Sequence, residues 1–244
     1  MIPIKAGVSF ASGPPQPARP PKAPDMSVSI DIISDVVCPW CFIGKRRLEA
    51  ALKLYRKRGA EEPKITWHPF QLNPDMPPEG VDRDEYVRRK FGAERAGQVY
   101  GRITAAGREV GIAFDFTKVT RQPNTLASHS LIALAIDAGK QDAVVEAFFR
   151  AFFLEGKDLT SAETLAEVAV GAGLDEGDVK AFLGSANARA HIEAEDKQAR
   201  QTGVEGVPFF VFNRRVAVSG AQAPEVLLEA MLEAEKQPAP SAAG

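Results

Sequence analysis

The sequence predicts an α/β protein in which a run of helices interrupts a β-sheet. Polar and apolar residues alternate over 28–34 and 64–70, as expected of strands with a buried face. Segment 207–219 is typical of a hairpin, with two apolar strands around a two-residue turn at 213–214. Residues 74–202 carry only helical signals. The sheet is therefore expected to draw its strands from both ends of the chain, around a helical insertion.

The first strand leads directly into a helix. Pro39 is suited to the first helical turn, and the helix is expected to run to about Arg58 and to end at Gly59. A strand–helix–strand unit of this kind is expected to be parallel and right-handed. The basic run 45–47 on this helix is expected to be a solvated face.

Seven further helices are predicted before the hairpin and one after it. Asn124 is the expected N-cap of the third of the seven, and Thr160 with Glu163 forms a capping box before the fifth. The predicted spans are 82–91, 93–110, 124–138, 142–154, 165–172, 175–183, 187–202 and 224–236.

Cys38 and Cys41 are the only cysteines of the chain and stand as Cys-Pro-Trp-Cys between the first strand and the first helix. This spacing in this setting predicts a thioredoxin-like redox pair. Cys38 would lie at the helix tip, where unpaired N–H groups and the helix dipole favour a thiolate. Cys41 falls on the apolar helix face. We expect an exposed nucleophile and a sheltered resolving thiol, with Pro39 and Trp40 tuning the redox potential.

Two other interpretations of the cysteines are a zinc half-site and inert core thiols. A zinc site needs about four ligands, but the chain has no second cysteine pair, and His68, His129 and His191 are scattered singly. No metal site and no required cofactor are therefore predicted.

Composition limits the partners. The formal net charge of −2 gives no electrostatic reason to expect nucleic-acid or membrane binding, and no apolar run approaches the length of a membrane span. Both cysteines lie in one motif, which favours a reducing, cytoplasmic setting. Residues 1–25 hold seven prolines and no signal-peptide core, which predicts either a disordered tail or a start codon assigned upstream of a true start at Met26. A second disordered tail is expected at 237–244.

Pro208 lies in the segment Gly-Val-Pro-Phe-Phe-Val, after a helix and before the hairpin. Taken alone it is an ordinary strand-start proline. The segment is similar to the one that carries a cis-proline facing the Cys-x-x-Cys of thioredoxin folds. Val207 and Pro208 are therefore expected to dock an extended substrate chain beside Cys38.

Taken together, these motifs make the chain similar to the FrnE-like branch of the DsbA family. The resemblance implies a thioredoxin-like fold with a central mixed four-stranded sheet and an all-helical insertion domain. It also implies dithiol–disulfide exchange with proteins or low-molecular-weight thiols. The implied division is a thioredoxin-like domain from 26–73 and 203–236, with an insertion at 74–202 whose helix 187–202 connects the two. The segments that carry the resemblance are 34–48, 70–76, 121–125, 203–211 and 218–222.

Kappa-class glutathione transferases and 2-hydroxychromene-2-carboxylate isomerases share this architecture but characteristically carry serine at the position of Cys38. They suggest an alternative function, a glutathione-dependent transferase or isomerase acting on a small aromatic compound, and glutathione as a possible co-substrate. Asn124, His129 and Ser219 match positions that could contact substrate or glutathione. Their plain alternatives are a helix cap, a surface histidine and a polar strand end.

Asp35 precedes Cys38 by three residues. An inward-pointing carboxylate there could move protons for the resolving thiol, but a solvated loop carboxylate is the expected arrangement. A non-catalytic chaperone module built on the helices is a third functional hypothesis. The sequence leaves open the direction of electron flow, the physiological substrate and the oligomeric state.

Overall fold

Six strands and nine α-helices form residues 27–236, the part of the chain that the computed structural model describes. The predictions for residues 1–25 and 237–244 lie outside this range. The elements are β1 (Ser29–Ser34), α1 (Pro39–Arg56), β2 (Lys64–Pro69), β3 (Val81–Asp82), α2 (Arg83–Phe91), α3 (Ala93–Glu109), a 3₁₀ turn (Phe116–Lys118), β4 (Arg121–Gln122), α4 (Leu126–Leu134), α5 (Gln141–Phe153), α6 (Ala162–Gly171), α7 (Glu176–Leu183), α8 (Ala186–Gln201), β5 (Phe209–Phe212), β6 (Val216–Ser219) and α9 (Pro224–Glu235).

The main sheet has four strands in the order β2-β1-β5-β6. β1 pairs in parallel with β2, and β5 runs antiparallel to both β1 and β6. The predicted mixed four-stranded sheet is therefore confirmed. Ile32 in the central strand faces Trp67 on one side and Phe210 on the other. All three side chains are buried, because a central strand is covered by its neighbours and by helices.

The β5–β6 hairpin turns on Asn213 and Arg214, whose φ angles are +48° and +56°. Two successive residues with positive φ form the kind of turn whose twist matches the strands it joins. The Asn213 amide also bridges two other elements. Its Oδ1 accepts from the Ser29 N–H at 2.8 Å, and its Nδ2 donates to the Ala234 carbonyl at 2.9 Å. The turn is centred on the two predicted residues, but the return strand begins at Val216 rather than at Arg215, so that three residues join the strands.

The helical insertion contains a short ribbon that the sequence did not predict. β3 pairs antiparallel with β4, so that Val81 faces Gln122. The guanidinium of Arg83 donates to the Gln122 side chain, and both side chains are buried. Strands of two residues are too short to show a periodic pattern, so only the fold reveals them.

The N-caps of two helices lie one residue later than predicted, and α6 begins at Ala162, three residues before the predicted 165. Helix α4 begins after Thr125, and Asn124 acts just outside it by accepting the Leu126 N–H at 2.9 Å. Helix α6 is capped by Ser161, whose hydroxyl accepts the Thr164 N–H at 3.2 Å. The predicted capping box of Thr160 with Glu163 is therefore wrong, and Ser161 is the N-cap instead. No helix within 27–236 combines the length and the apolar character needed to cross a bilayer.

Helix α1 joins the sheet to the helical insertion through aromatic packing. The Phe42 ring stacks on Phe149 of α5 with centroids 5.0 Å apart. One cluster of buried apolar side chains runs from β1 through α1 into α5 and α6. The sheet and the insertion therefore share a hydrophobic core, and their division into domains stays a prediction.

The basic run on α1 is not a solvated face, contrary to the sequence prediction. Lys45 is only 4% exposed, and its Nζ lies 2.6 Å from Glu49 and 3.0 Å from Asp142 of α5. Burial alone would lower the pKa of Lys45, but the Asp142 charge and the Glu49 hydrogen bond outweigh it and raise this pKa. Arg46 pairs with Glu146 of the same helix α5. The charges are buried because α5 covers this side of α1.

Candidate redox-active site

The connection between β1 and α1 places Cys38 at the tip of an 18-residue helix. The backbone N–H of Cys38 donates to the Asp35 carbonyl at 3.0 Å, which closes a tight turn after the strand. The Cys38 carbonyl in turn accepts from the Cys41 N–H at 3.0 Å and from the Phe42 N–H at 3.4 Å. Cys38 is thus the N-cap, and its side chain stands where first-turn N–H groups and the helix dipole stabilise negative charge.

Cys41 lies beneath Cys38 and is almost fully enclosed, with 1% of its surface exposed. Both residues are free thiols, and the two side chains are in hydrogen-bonding contact. Burial raises the pKa of the Cys41 thiol well above its usual value, and the hydrogen bond and charge of Cys38 add to this effect. Hydrogen bonds from the Ser34 side chain and the Asp35 backbone oppose it but are weaker. Cys41 is therefore held as the protonated thiol.

A loop with a cis peptide bond faces Cys38 from the other side. The bond joins Val207 to Pro208, and the Val207 carbonyl oxygen lies 3.6 Å from the Cys38 sulfur. The loop is tied to the end of β6, because the Gly220 N–H donates to the Pro208 carbonyl at 2.8 Å. The predicted juxtaposition of this segment with the cysteine pair is present in the structure.

Cys38 is more enclosed than the sequence suggested. Only 5% of the residue is exposed, so the expected contrast between an open and a sheltered cysteine is small. The Val207–Pro208 loop accounts for this, since it packs against the helix tip. Trp40, between the two cysteines, is 38% exposed and is the large apolar side chain that the motif presents to solvent.

Asp35 was expected to be a solvated loop carboxylate, and that expectation is wrong. The residue is completely buried, and its Oδ2 accepts the Leu72 N–H at 2.8 Å while its Oδ1 accepts the Val37 N–H at 3.5 Å. The carboxylate thus joins the segment before the cysteines to the loop after β2. Its inward direction follows from this tertiary contact, which no local pattern near Asp35 reveals.

His129 is buried as well, at 3% exposure, although a surface position was the expected alternative to a substrate contact. It lies on α4, and its Nε2 is 3.5 Å from Oδ1 of Asp35. This nitrogen has no hydrogen-bond partner among the described residues. The structure therefore brings His129 to the acid that precedes the cysteine pair.

Asn124 connects the loop after β2 to the start of α4 through hydrogen bonds. Its Nδ2 donates to the Met76 carbonyl at 2.7 Å, and its Oδ1 accepts from the Leu126 N–H at 2.9 Å and from the Gln71 side chain at 3.4 Å. Asn124 thus accepts from the first residue of α4 from outside the helix, whose N-cap is Thr125. Ser219 ends β6 opposite Phe209, and its side chain is exposed.

Two residues that the sequence did not single out hold the same loop from helix α8. Asp196 accepts the Gln71 N–H at 2.8 Å, and Arg200 donates to the Gln71 carbonyl. Arg200 also lies over the Phe70 ring, 4.1 Å from its centroid. An Asp and an Arg four residues apart on a helix are a common surface pair, so their pattern alone did not indicate this role. Residues 27–236 contain no cluster of three or more His, Cys, Asp or Glu side chains that could hold a metal ion.

A sheet of this order, with a dithiol at the first helix and a cis-proline loop opposite, defines a dithiol protein of the thioredoxin fold. The sequence matches the DSBA-like thioredoxin domain family over residues 29–232. The chain belongs to that family, which confirms the resemblance to DsbA proteins.

Solved structures agree with this assignment. A probable DsbA oxidoreductase from Streptomyces coelicolor is 32% identical, with a TM-score of 0.77 over 87% of this chain and 92% of its own. A 2-hydroxychromene-2-carboxylate isomerase shares the fold at 18% identity, with a TM-score of 0.64 over 86% of this chain and 97% of its own. The cytosolic disulfide reductase DsbM from Pseudomonas aeruginosa, solved with glutathione, is similar at 19% identity, with a TM-score of 0.52 over 85% and 96%.

Proposed function

We propose that the protein is a thiol–disulfide oxidoreductase of FrnE-like type that exchanges disulfides through Cys38 and Cys41. The observation that carries this proposal is the position of the Cys38 sulfur. It contacts the buried Cys41 thiol on one side and lies 3.6 Å from the Val207 carbonyl on the other. A nucleophile, its resolving partner and a main-chain docking group thus meet at one helix tip.

Exchange begins when the Cys38 thiolate attacks a substrate disulfide. The sulfur–sulfur bond of the substrate breaks, one substrate sulfur leaves as a thiolate, and the other stays bound to Cys38 as a mixed disulfide. Cys41 then loses its proton and attacks the Cys38 sulfur. The second substrate thiolate leaves, and the protein carries a Cys38–Cys41 disulfide. The reverse sequence oxidises a substrate dithiol.

The unequal environments of the two sulfurs support this division of roles. Cys38 stands at the N-cap, where the helix stabilises a thiolate. Burial raises the pKa of Cys41, so it is a poor initial nucleophile and remains protonated until the mixed disulfide forms beside it. Pro39 occupies the first helical position, where its missing N–H costs no helical hydrogen bond and its fixed φ suits the helix.

An extended substrate chain would dock on the Val207–Pro208 loop. Pairing with the Val207 backbone would bring a substrate sulfur to the Cys38 side of the loop. The exposed Trp40 ring supplies apolar area next to the same cysteine. Substrates are proteins or small thiols, and glutathione is proposed as a co-substrate because DsbM, a protein of the same fold, was solved with it. We place this reaction in the cytoplasm, since the chain has no cysteines outside the motif.

The decisive test compares Cys38→Ser with Cys41→Ser, because each variant keeps a single thiol. Cys38→Ser is expected to lose at least about 10³-fold in the reduction of a disulfide-bonded peptide, as expected when a nucleophile is removed. Cys41→Ser is expected to accumulate a mixed disulfide on Cys38, visible by mass spectrometry. Urea unfolding of both variants controls for folding. Full reductase activity in Cys38→Ser would refute the assignment.

The same variants address the alternative of a glutathione-dependent transferase or isomerase. Such an enzyme would need only the residue at the Cys38 position, so its turnover of a small aromatic substrate would survive Cys41→Ser. Loss of turnover together with trapped mixed disulfides supports the redox function.

A further inference from the structure

A buried imidazole and a buried carboxylate lie beside the dithiol, and the exchange steps above use neither. His129 is 3% exposed and Asp35 is 0% exposed, and the His129 Nε2 is 3.5 Å from the Asp35 Oδ1. Asp35 also donates its backbone N–H to the Cys41 sulfur. The histidine is thus linked to the resolving cysteine through a single residue. The His129 Nε2 is buried without a hydrogen-bond partner among the described residues. Such an atom lowers the stability of the fold, and buried polar atoms without a partner are often functional.

We propose that His129 takes up a proton when the Cys38–Cys41 disulfide is reduced and releases it on oxidation. The imidazolium then balances the negative charge that the Cys38 thiolate brings to this buried site. The inference rests on the proposed function, since it assigns a proton to the redox cycle of the same dithiol.

The reaction balances with two molecules of a thiol such as glutathione as the reductant. The first thiol, as thiolate, attacks the Cys38 sulfur, the Cys38–Cys41 bond breaks, and the Cys41 sulfur takes one proton. The second attacks the bound thiol, and Cys38 leaves as a thiolate. The two thiols supply two electrons and two protons and depart as one disulfide. One proton resides on Cys41 and the other on His129, so the site gains no net charge.

Two opposing effects act on a positive charge at the His129 ring. Burial opposes the imidazolium, because a charged ring loses its hydration. The Asp35 carboxylate favours it, since an opposite charge nearby stabilises the protonated ring. A further negative charge on Cys38 is added only on reduction. In a buried site this charge is weakly screened, so it shifts the balance towards the imidazolium.

The other charged groups around α4 have partners or face solvent. On α5, Asp142 pairs with Lys45, and Glu146 pairs with Arg46. On α8, the buried Asp196 is paired with Arg200. His68 on β2 pairs with Asp31. The remaining charged side chains of α5, α6, α7 and α8 are exposed or lie at the surface, which applies to Arg150, Glu163, Glu167, Glu176, Asp178, Lys180, Arg189, His191, Glu193, Glu195 and Lys197. Of the charged groups named here, Asp35 is therefore the one in close contact with His129, at 3.5 Å.

The first experiment measures the protonation of His129 directly. In the double variant His68→Gln/His191→Gln, His129 is the one histidine left, and its ring resonances report its charge in the oxidised and the reduced protein. At a pH near 6.5, the ratio of protonated to neutral His129 is expected to be about fivefold higher in the reduced protein, the lower end of typical coupling between sites. An equal ratio in the two redox states would overturn the inference.

The second experiment uses the reciprocal effect on the dithiol. The equilibrium constant for reduction by glutathione is measured in the wild-type protein and in His129→Gln at about pH 5.5 and pH 8.5. The constant of the wild-type protein divided by that of His129→Gln is expected to be about fivefold larger at the lower pH. The reason is that the effect of the thiolate on His129 and the effect of His129 on the dithiol are equal by linkage. His68→Gln is the matched control, since it removes another histidine–aspartate pair, with nitrogen and oxygen 3.0 Å apart, on the neighbouring strands. Its ratio to wild type should not change with pH.

The two proposals fail in different ways. If the cysteine variants show no exchange, the oxidoreductase assignment fails. If exchange proceeds but the protonation of His129 is independent of redox state, only the inference about His129 fails. Should His129→Gln not fold, the resonance measurement still decides, because it leaves His129 in place.

Discussion

Replacing Gly44 with alanine is expected to destabilise the protein, although alanine is the better helix former. Gly44 lies in α1 where this helix touches the Val207–Pro208 loop. A Cβ atom at this position would lie 2.9 Å from Cγ of Pro208 and 3.2 Å from Cζ of Phe210. The first distance is shorter than ordinary packing allows, so either the helix or the loop must shift.

The magnitude follows from two opposing effects. Glycine to alanine inside a helix stabilises by about 1 kcal/mol. Overfilling a packed core costs about 1–3 kcal/mol. The net loss in the free energy of unfolding is therefore about 0–2 kcal/mol. Gly101→Ala in α3 supplies the control, because no atom lies within 4 Å of its added Cβ and the residue is exposed. That variant should gain about 1 kcal/mol.

Urea unfolding of the reduced proteins measures both effects, and an unchanged m-value shows that the unfolding reaction is the same. The difference between the variants isolates the contact of Gly44 with Pro208. Exchange with a disulfide-bonded peptide should slow in Gly44→Ala alone, because a displaced loop moves the Val207 carbonyl away from Cys38. If Gly44→Ala stabilised as much as Gly101→Ala, the close approach of helix and loop would be refuted.

Two further predictions concern titrating groups. In the reduced protein, iodoacetamide should modify Cys38 well before Cys41, because the thiolate is the reactive form and burial raises the pKa of Cys41; peptide mapping that found equal rates would contradict this. Burial raises the pKa of Glu146, but the Arg46 hydrogen bond and the charges of Lys45 and Arg46 outweigh it and lower this pKa. A carboxyl group with a lowered pKa in the folded state stabilises the fold at pH values above its unfolded pKa of about 4.3. This stabilisation is lost as the pH falls through the folded-state pKa. Glu146→Gln should therefore reduce the stability difference between about pH 6 and pH 3, measured by urea unfolding, and an unchanged difference would count against the ion pair.

Most of the fold could be predicted from local sequence patterns. The alternation in β1 and β2, the glycine after α1 and the two-residue turn at 213–214 each reflect a rule that acts over a few residues. The spacing of Cys38 and Cys41, together with Pro208, identified the segments that meet at the site. The contact between these segments could be predicted because the fold that the sequence resembles places this proline opposite the dithiol.

What the sequence did not predict depends on distant neighbours. Lys45 is buried because α5 covers it with carboxylates about a hundred residues away in the chain. Asp35 was expected to be solvated, and His129 to be either a substrate contact or a surface histidine, yet each is buried against the other. A charged residue next to a polar loop is solvated in most proteins, so only the packing of α4 against the β1–α1 connection reverses that expectation.

The ion pairs and ring stack between α1 and α5 fix the helix that carries the dithiol. Phe42, the residue after Cys41, stacks on Phe149, and Lys45, four residues after Cys41, pairs with Asp142. With the scaffold held in this way, we expect reduction to change the two sulfurs and the proton on His129 but not the fold. A thermodynamic cycle then equates their difference in unfolding free energy with the difference in disulfide stability between the folded chain and its denatured form. Calorimetry of the two forms would thus report the oxidising strength of the protein without any redox partner.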